Sequence, residues 1–414
     1  MPKIYFRALY LKIRPCSAFC LLLSAALVLS ALIPTGCGLI NLGADQAVPA
    51  AGSAVSETVY LPPETIKISI ALAGDIMVHS DQLAYAYDRQ TGTYSFTGVF
   101  DEVADYLGAA DITIANLETT LAGREQGYTG YPKFNSPEEI LLSLREAGID
   151  VLTTANNHSL DRGEYGVLKT IEHLDEAGIL HTGTSVSAES RQTPLIVDIK
   201  GVKLGILSYT YGTNGLPVPK GKEYLVNLLD MRQVRQDIEV LREKGAEVII
   251  ISPHHGVEYR RTPGETERQM VEELFAAGAD IVAGSHTHVI QPMAVRDTER
   301  EGGLFAAYSL GNFVSGQKGR YRDTGIIVTL TLEKEIETGG IQLDSAEYVP
   351  VWVHRYRESG RTKSRVIPVE KAITDYRMTT DARITSEDYQ RLLQVWDETL
   401  THLAGPNGPE VRHI

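Results

Sequence analysis

The segment Ile68-Ser-Ile-Ala-Leu-Ala-Gly74-Asp75 is an apolar, strand-like run that ends in a carboxylate, and it indicates the fold of the chain. Five later apolar runs also end in polar side chains, and they begin at Ile112, Val151, Val248, Ile281 and Leu304. Buried strands of α/β proteins present their carboxyl ends at one edge, where ligands bind. We therefore expect the six polar strand ends to converge on one site. Their Asp, Glu, Asn and His side chains suit divalent metal ions rather than Cu(I) or iron–sulfur clusters.

Helix-like segments separate most of these runs, at residues 100–107, 137–147, 164–177, 231–244 and 264–277. Several of them end in Ala-Gly, and glycine is the residue that most often follows a helix. Strands that alternate with helices of this length predict an α/β fold with mostly parallel pairing. Residues 325–333 and 342–353 instead predict two strands with no helix between them, and residues 386–403 predict a late helix.

The composition is that of an acidic globular protein. The chain has 414 residues, of which 43% are hydrophobic, and a formal charge of −14. An acidic surface argues against nucleic-acid binding, which needs basic patches to neutralise phosphates. All three cysteines, Cys16, Cys20 and Cys37, lie near the N-terminus. The body of the chain therefore has no disulfide bond and no thiolate ligand.

The N-terminus has the features of a targeting segment. Basic residues precede an apolar run from Ala18 to Ile33 that is short for a membrane span and typical of a signal peptide. Residues 1–37 resemble a bacterial lipoprotein signal in which Cys37 is lipidated, and the alternative is an uncleaved anchor. Either one predicts an exported protein held at the outer face of the cytoplasmic membrane.

Composition also suggests the remaining divisions of the chain. Residues 38–65 are rich in Ala, Gly, Ser and Pro, which predicts a flexible linker. The alternating strands and helices predict one main domain over residues 66–353. Residues 354–414 are left as a C-terminal extension that contains the late helix.

Two histidine-containing segments carry most of the predicted chemistry. His286 and His288 are two residues apart, so in an extended segment both side chains would point to one face and reach neighbouring ligand positions. Asn157 can offer a carbonyl oxygen to a metal, and His158 can donate a proton to a leaving group. Asp161 could orient His158 or, equally well, cap the helix that starts near residue 164.

Other strand ends add further candidates. In the pair His254-His255 one residue would be the ligand and the other would pack nearby, because successive strand side chains point in opposite directions. Glu258 and Tyr259 follow and could hydrogen-bond a ligand or the substrate. Asp75 and Glu118 are also ligand candidates, and a carboxylate at Glu118 could bridge two metal ions.

These segments, taken in order, resemble the CapA family of poly-γ-glutamate capsule biosynthesis proteins, which is related to calcineurin-like metallophosphoesterases. The resemblance rests on Gly74-Asp75, Asn116-Leu-Glu118, Ala155-Asn-Asn-His158-Ser-Leu-Asp161-Arg-Gly163, His254-His-Gly-Val-Glu258-Tyr259, Gly284-Ser-His-Thr-His288 and Ser309-Leu-Gly-Asn-Phe313. It implies a metallophosphatase-like α/β sandwich of two mixed β-sheets flanked by α-helices. It also implies a site for one or two divalent ions, with Mn, Zn, Fe and Mg as candidates.

The resemblance also assigns roles to individual residues. One ion would take Asp75, Glu118 and His288, and the other would take Glu118, Asn157, His254 and His286, with His158 as the proton donor. The remaining candidates would contact the ligands or the substrate, namely Asn116, Asn156, His255, Glu258, Tyr259 and Asn312. One departure stands out, since Met77 occupies the position where the phosphoesterases carry a histidine.

Two functions follow from the resemblance. The first is a cell-surface, metal-dependent hydrolase or transferase in the synthesis of poly-γ-glutamate or a related envelope polymer. The second is a non-catalytic, membrane-anchored accessory protein for polymer synthesis or export. The expected partners are the membrane, subunits of the polymer synthase and the anionic polymer itself.

Overall fold

The structure is a computed structural model that describes residues 64–296, 303–404 and 412–413. These residues belong to one compact unit, Leu61–Ile414. The predicted targeting segment with Cys37, and all but the last two residues of the predicted linker, lie outside the described residues. In the part of the chain that is described, no helix is both long enough and apolar enough to span a bilayer.

The strands, in chain order, are β1 (Thr65–Ile76), β2 (Tyr87–Asp88), β3 (Thr93–Tyr94), β4 (Ile112–Leu117), β5 (Val151–Thr153), β6 (Leu180–Thr182), β7 (Leu195–Ile199), β8 (Val202–Thr210), β9 (Val248–His254), β10 (Ile281–Ala283), β11 (Met293–Val295), β12 (Phe305–Ala307), β13 (Asn312–Val314), β14 (Thr324–Glu335), β15 (Ile341–Glu358), β16 (Arg361–Pro368) and β17 (Arg412–His413). The helices are α1 (Ser80–Ala86), α2 (Ala104–Ala109), α3 (Ile140–Glu146), α4 (Gly163–Ala177), α5 (Ala188–Arg191), α6 (Met231–Glu243), α7 (Glu265–Ala276), α8 (Val369–Met378) and α9 (Ser386–Leu403).

Two mixed sheets form the centre of the fold. The first has the order β16-β15-β14-β1-β4-β5-β6, with β13 beside β1 and β17 beside β15. Its β1, β4, β5 and β6 run parallel, whereas β14, β15 and β16 are antiparallel neighbours. The second has the order β11-β12-β10-β9-β8-β7, with a parallel centre and an antiparallel strand at each edge. The prediction of two mixed sheets is confirmed.

The apolar residues of β1 explain why the two sheets and the helices form layers. Side chains alternate between the two faces of a strand. Ile68, Ile70 and Leu72 therefore enter a core between the sheets, together with residues of β8, β9 and β10. Ala71 and Ala73 face the opposite side, in a core shared with α2 and α3. The outer face of the second sheet packs on α6 and α7, so helices flank both sheets.

Most predicted elements lie close to the observed ones, with two differences. The segment 100–107 is split between a 3₁₀ turn, Asp101–Val103, and the short helix α2. The domain boundary predicted at residue 353 falls inside β15. The reason is that β15 continues to Glu358 and the following β16 pairs with it, so the chain passes through the predicted boundary as one strand.

Candidate metal centre

Five of the six predicted strand ends meet at one edge of the two sheets, and the sixth candidate, Asn312, lies instead at the start of β13, opposite Asp75. Asp75 lies at the end of β1, Glu118 directly after β4, and His254 at the end of β9. Asn157 follows β5 and the two later histidines follow β10. All of these side chains are buried. Ligand candidates that are distant in sequence are therefore close in space, contributed by both sheets.

One group of candidate ligands consists of Asp75, Glu118 and His288. Each offers a ligand atom, and these atoms all lie within 4.8 Å of one another. His288 Nδ1 is 3.1 Å from Asp75 Oδ2, and His288 Nε2 is 3.7 Å from Glu118 Oε1. Asn116 Nδ2 donates to Asp75 Oδ1 at 2.8 Å, which orients that carboxylate. We call this set the Asp75 group.

A second group consists of Glu118, His254 and His286, again with ligand atoms within 4.8 Å of one another. His254 Nε2 lies 3.1 Å from His286 Nδ1 and 3.4 Å from Glu118 Oε1. Asn157 Oδ1 lies 2.8 Å from the same His254 nitrogen. We call this set, with Asn157, the His254 group. Glu118 belongs to both groups.

The residues present fit divalent ions. An ion with bonds of about 2.1 Å holds adjacent ligands about 3.0–3.4 Å apart, close to the separations found in the His254 group. Glu118 Oε1 is buried and has no hydrogen-bond partner among the described residues, although it lies between the two groups. Buried polar atoms are normally hydrogen-bonded, so this oxygen is suited to a ligand that enters from outside.

Burial and neighbouring charges shift the pKa values of the buried acids and imidazoles of the site. Burial raises the pKa of Glu118 well above its ordinary value. Burial would lower the pKa of His288, but the charge of Glu118 and the hydrogen bond to Asp75 outweigh it and raise that pKa to about 9. Burial lowers the pKa of His254 to about 3 and that of His286 to about 2, so both are neutral. Neutral imidazoles and buried acids are a donor set that favours a cation.

His286 and His288 reach the two groups by a route that the sequence reasoning did not foresee. Strand β10 ends at Ala283, and both histidines have left-handed backbones, with φ of +97° and +58°. The expectation of an extended segment is therefore wrong. Such conformations are rare for non-glycine residues and concentrate at functional sites, where the surrounding structure holds them.

His158 and Asp161 form a buried pair beside the His254 group. His158 Nδ1 is 2.7 Å from Asp161 Oδ2, and the backbone N–H of Phe134 donates to that same oxygen at 2.6 Å. The N-cap residue of α4 is Arg162 and not Asp161. Of the two alternatives for Asp161, the structure thus favours contact with His158 over helix capping.

The other predicted residues differ in how close they come to the ligands. Asn156 Oδ1 accepts from the backbone N–H of His158 at 3.1 Å and so shapes the loop that carries it. His255 is half-buried, and its ring lies 6.4 Å from that of Tyr211. Glu258 is exposed, and Tyr259 is half-exposed with its ring 6.1 Å from that of His288. Asn312 pairs with Asp75 across β13 and β1.

Three residues near the ligands were missed by the sequence reasoning. Asn214 Oδ1 accepts from Asn157 Nδ2 at 3.2 Å, and the Tyr211 ring lies 4.8 Å from that of His286. Both follow β8, a seventh strand whose apolar residues from Val202 onward could have revealed it. The Phe134 ring packs edge-on against His158 at 4.7 Å. No pattern in the sequence signals that contact, because it comes from a loop.

Comparison with known families agrees with this arrangement. Residues 69–317 match the model of the bacterial capsule synthesis protein family PGA_cap. The chain belongs to this family. The matched range contains every residue of the Asp75 and His254 groups, as well as His158 and Asp161. The predicted relationship to capsule biosynthesis proteins is therefore confirmed.

Individual relatives are identical to this PGA_cap chain at about a quarter of the aligned positions. The capsule biosynthesis protein CapA of Bacillus anthracis is 27% identical over 61% of this chain and 61% of its own length. The PGA biosynthesis protein CapA of Bacillus subtilis is 25% identical over 63% of this chain and 67% of its own length. Thus the match spans about three fifths of the first relative. Among solved structures, the calcineurin-like phosphoesterase YfkN of Bacillus subtilis aligns with a TM-score of 0.40 and 17% identity, over 81% of this chain and 98% of that one.

Proposed function

We propose that this PGA_cap protein is a metal-dependent hydrolase or transferase in the synthesis of poly-γ-glutamate or a related envelope polymer. The observation that carries the proposal is the buried Glu118, whose Oε1 has no hydrogen-bond partner among the described residues and lies 3.4 Å from His254 Nε2 and 3.7 Å from His288 Nε2. A carboxylate in such a position is costly unless a cation joins it. The names of the relatives, which refer to capsule and PGA biosynthesis, support the polymer.

Two divalent ions fit the donor atoms best. The Asp75 group would hold one and the His254 group the other, with Glu118 as the shared ligand. When bound, such ions supply polarisation of a phosphoryl or carbonyl oxygen and activation of water. The chain's part is to hold the ligands, and Ser285 contributes by hydrogen-bonding His254 Nδ1 at 2.8 Å, which leaves Nε2 directed at the site.

His158 is the proposed proton donor. Its Nδ1–H donates to Asp161, so Nε2 is left for the proton that goes to the leaving group. Asp161 is itself fixed by the backbone N–H of Phe134, and the Phe134 ring lies against the imidazole. These contacts hold the ring in one orientation and exclude water from one of its sides.

Metal analysis of the purified chain, with assays on phosphoesters and γ-glutamyl polymer, tests this proposal. We expect the wild type to retain divalent ions, His286→Ala to lose at least one, and His158→Ala to keep them but lose turnover by about 10²–10⁴-fold. His181→Ala is a matched control, because that histidine pairs with Asp175 away from both groups. Wild-type protein without ions, or unchanged turnover in both site variants, would refute the assigned roles.

The accessory role is the second candidate, and a specific residue favours it. Met77 is buried near the end of the strand that carries Asp75, and a thioether is a poor ligand for hard ions. In this case ligand variants would still support polymer production. Complementation of a strain that lacks the gene separates the two functions, since full rescue by His286→Ala and Glu118→Gln would favour the accessory role.

Export and anchoring through Cys37 are part of the proposal and are supported by the sequence pattern of residues 1–37. Lipidation would hold the chain at the outer face of the membrane, near a polymer synthase. Replacement of Cys37 by Ser should move the protein from the membrane fraction to the soluble exported fraction. Unchanged membrane association would argue against lipidation at this residue.

A further inference from the structure

Asn312 stands beside Asp75 in the first sheet. Strand β13 runs parallel to β1, and Asn312 is the residue opposite Asp75. Residues that face each other on neighbouring strands place their side chains on the same face of the sheet. Asn116 is opposite Asp75 on the other flank. Asp75 is therefore flanked by two asparagines, and the role of one of them, Asn116, is visible as a hydrogen bond to Asp75 Oδ1.

Tight backbone packing holds Asn312 in this position. The backbone N–H of Asp75 donates to Gly311 O at 2.9 Å. A Cβ at Gly74 would lie 2.0 Å from that same oxygen, and a Cβ at Gly325 would lie 2.4 Å from Asn312 O. Only glycine fits at Gly74 and Gly325, so β1, β13 and β14 approach one another more closely than side chains at these positions would allow.

The hydrogen bonds of Asn312 determine which way its amide points. Nδ2 donates to Arg322 O at 2.7 Å and to Gln317 Oε1 at 3.1 Å, and lies 3.4 Å from His288 O. All three neighbours are acceptors, so the nitrogen must be on this side and the oxygen on the other. Oδ1 is fully buried and has no hydrogen-bond partner in the described parts of the chain.

We infer that Asn312 supplies a neutral oxygen ligand to the ion of the Asp75 group. This inference rests on the metal site of the proposed function and adds a residue to it. The Asp75 group otherwise has three protein donors, fewer than oxygen-preferring divalent ions commonly take. The His254 group already contains an amide oxygen, from Asn157. With Asn312 each group has one amide oxygen, and both share Glu118.

Metal titration of the full chain tests the inference, with Mn²⁺ or Co²⁺ as the probe. We expect Asn312→Ala to weaken binding of one ion by about 10–100-fold and to change the visible spectrum of Co²⁺ in that site. Gln317→Ala is the matched control, because it removes one acceptor from Nδ2 and leaves Oδ1 untouched. Asn157→Ala should weaken the other ion, so the double variant should lose affinity at both sites.

The outcomes separate this inference from the proposed function. If wild-type protein binds no ion, both are overturned. If the wild type binds two ions and Asn312→Ala binds them with unchanged affinity, only the role of Asn312 is wrong, and its oxygen serves the fold alone. Should Asn312→Ala fail to fold, a crystal structure of Mn²⁺-loaded wild type decides, since ligation requires Oδ1 within about 2.6 Å of the ion. A longer distance overturns the inference.

Discussion

The candidate metal centre and the cluster around Arg365 are both buried and charged, yet they balance charge in opposite ways. Arg365 is 1% exposed, and its Nη1 donates to Glu102 at 3.1 Å while its Nη2 forms an ion pair with Asp381 at 2.6 Å. Its Nε donates to His354 at 3.1 Å. In the candidate metal centre, by contrast, the side-chain nitrogens beside Glu118 Oε1 are those of His254 at 3.4 Å and His288 at 3.7 Å, and His254 is neutral.

This difference separates a structural cluster from a binding site. The Arg365 cluster joins β16 to the loop between α8 and α9 and to the turn that precedes α2, and its charges are balanced by side chains of the protein. The candidate metal centre combines Asp75 and Glu118 with neutral His254 and His286 and with the charged His288, which pairs with Asp75, so one buried carboxyl group depends on a proton or on an added cation. Buried charge that the chain does not neutralise indicates a ligand.

The largest expected effect is therefore the stabilisation of the metal centre by its ions. At a thousandfold excess over Kd, each ion that binds only the folded state adds about 4 kcal/mol to the free energy of unfolding. Denaturant titrations with Mn²⁺ and with EDTA measure this gain. We expect Glu118→Gln to lose most of it and His181→Ala to keep it. A wild type that unfolds at the same denaturant concentration in both buffers would contradict the metal centre.

Mutation of the Arg365 cluster should lower the free energy of unfolding by the same amount with and without metal ions. Arg365→Ala leaves Glu102 and Asp381 without their buried partner, which we expect to cost about 3–5 kcal/mol in both buffers. Lys371→Ala is the control, because Lys371 also donates to Glu102 at 2.9 Å but is about half-exposed. Its effect should stay below about 1 kcal/mol. Equal effects of the two variants would show that Arg365 is not the centre of this cluster.

Sequence reasoning was most successful where one residue pattern determines one local structure. The apolar run that leads into Asp75 predicted β1, and the helical pattern of residues 386–403 predicted α9, whose N-cap Thr385 accepts from the N–H of Asp388. The reasoning failed at the division of the chain near residue 353. Strands β15 and β16 form a hairpin joined by Ser359 and Gly360, both with positive φ, and the prediction did not use this two-residue turn signal.

For the site, the sequence predicted which residues would meet but not how they are held. The polar strand ends were sufficient to bring Asp75, Glu118 and His254 into one prediction. The left-handed backbones of His286 and His288 were not predictable, because tertiary contacts hold these residues in a conformation that their own sequence disfavours. The contact between Asn214 and Asn157 likewise depends on a loop after β8.

The buried His354 should make the stability of the Arg365 cluster depend on pH. Burial and then the charge of Arg365 lower the pKa of His354 to about 4, although Asp388 and Asp381 oppose the shift. Below pH 6.5, the ordinary pKa of histidine, His354 binds a proton in the unfolded chain but stays neutral in the folded chain. Stability is therefore lost as pH falls from about 6.5 towards 4. His354→Gln, which does not titrate, should reduce this loss by up to about 3 kcal/mol. Urea denaturation at pH 7 and pH 4.5 measures the difference between variant and wild type, and equal losses in both proteins would contradict it.

The smallest expected change in the free energy of unfolding comes from Glu→Gln substitutions, and its sign should differ between the two clusters. In EDTA above the ordinary pKa of a glutamate, the buried Glu118 must either ionise, with the charge of His288 3.7 Å away, or retain a proton, and both weaken the fold. Glu118→Gln should therefore stabilise the metal-free protein at pH 8 by about 1–2 kcal/mol, and the gain should vanish near pH 4. The same change at Glu102 removes a carboxylate that accepts from Arg365 and Lys371, so Glu102→Gln should destabilise the protein by a similar amount. If Glu→Gln raises the free energy of unfolding at Glu118 and lowers it at Glu102, the charges of the Arg365 cluster are balanced by the chain and those of the candidate metal centre need a cation. A loss of stability in both variants would mean that Glu118 is satisfied without a ligand.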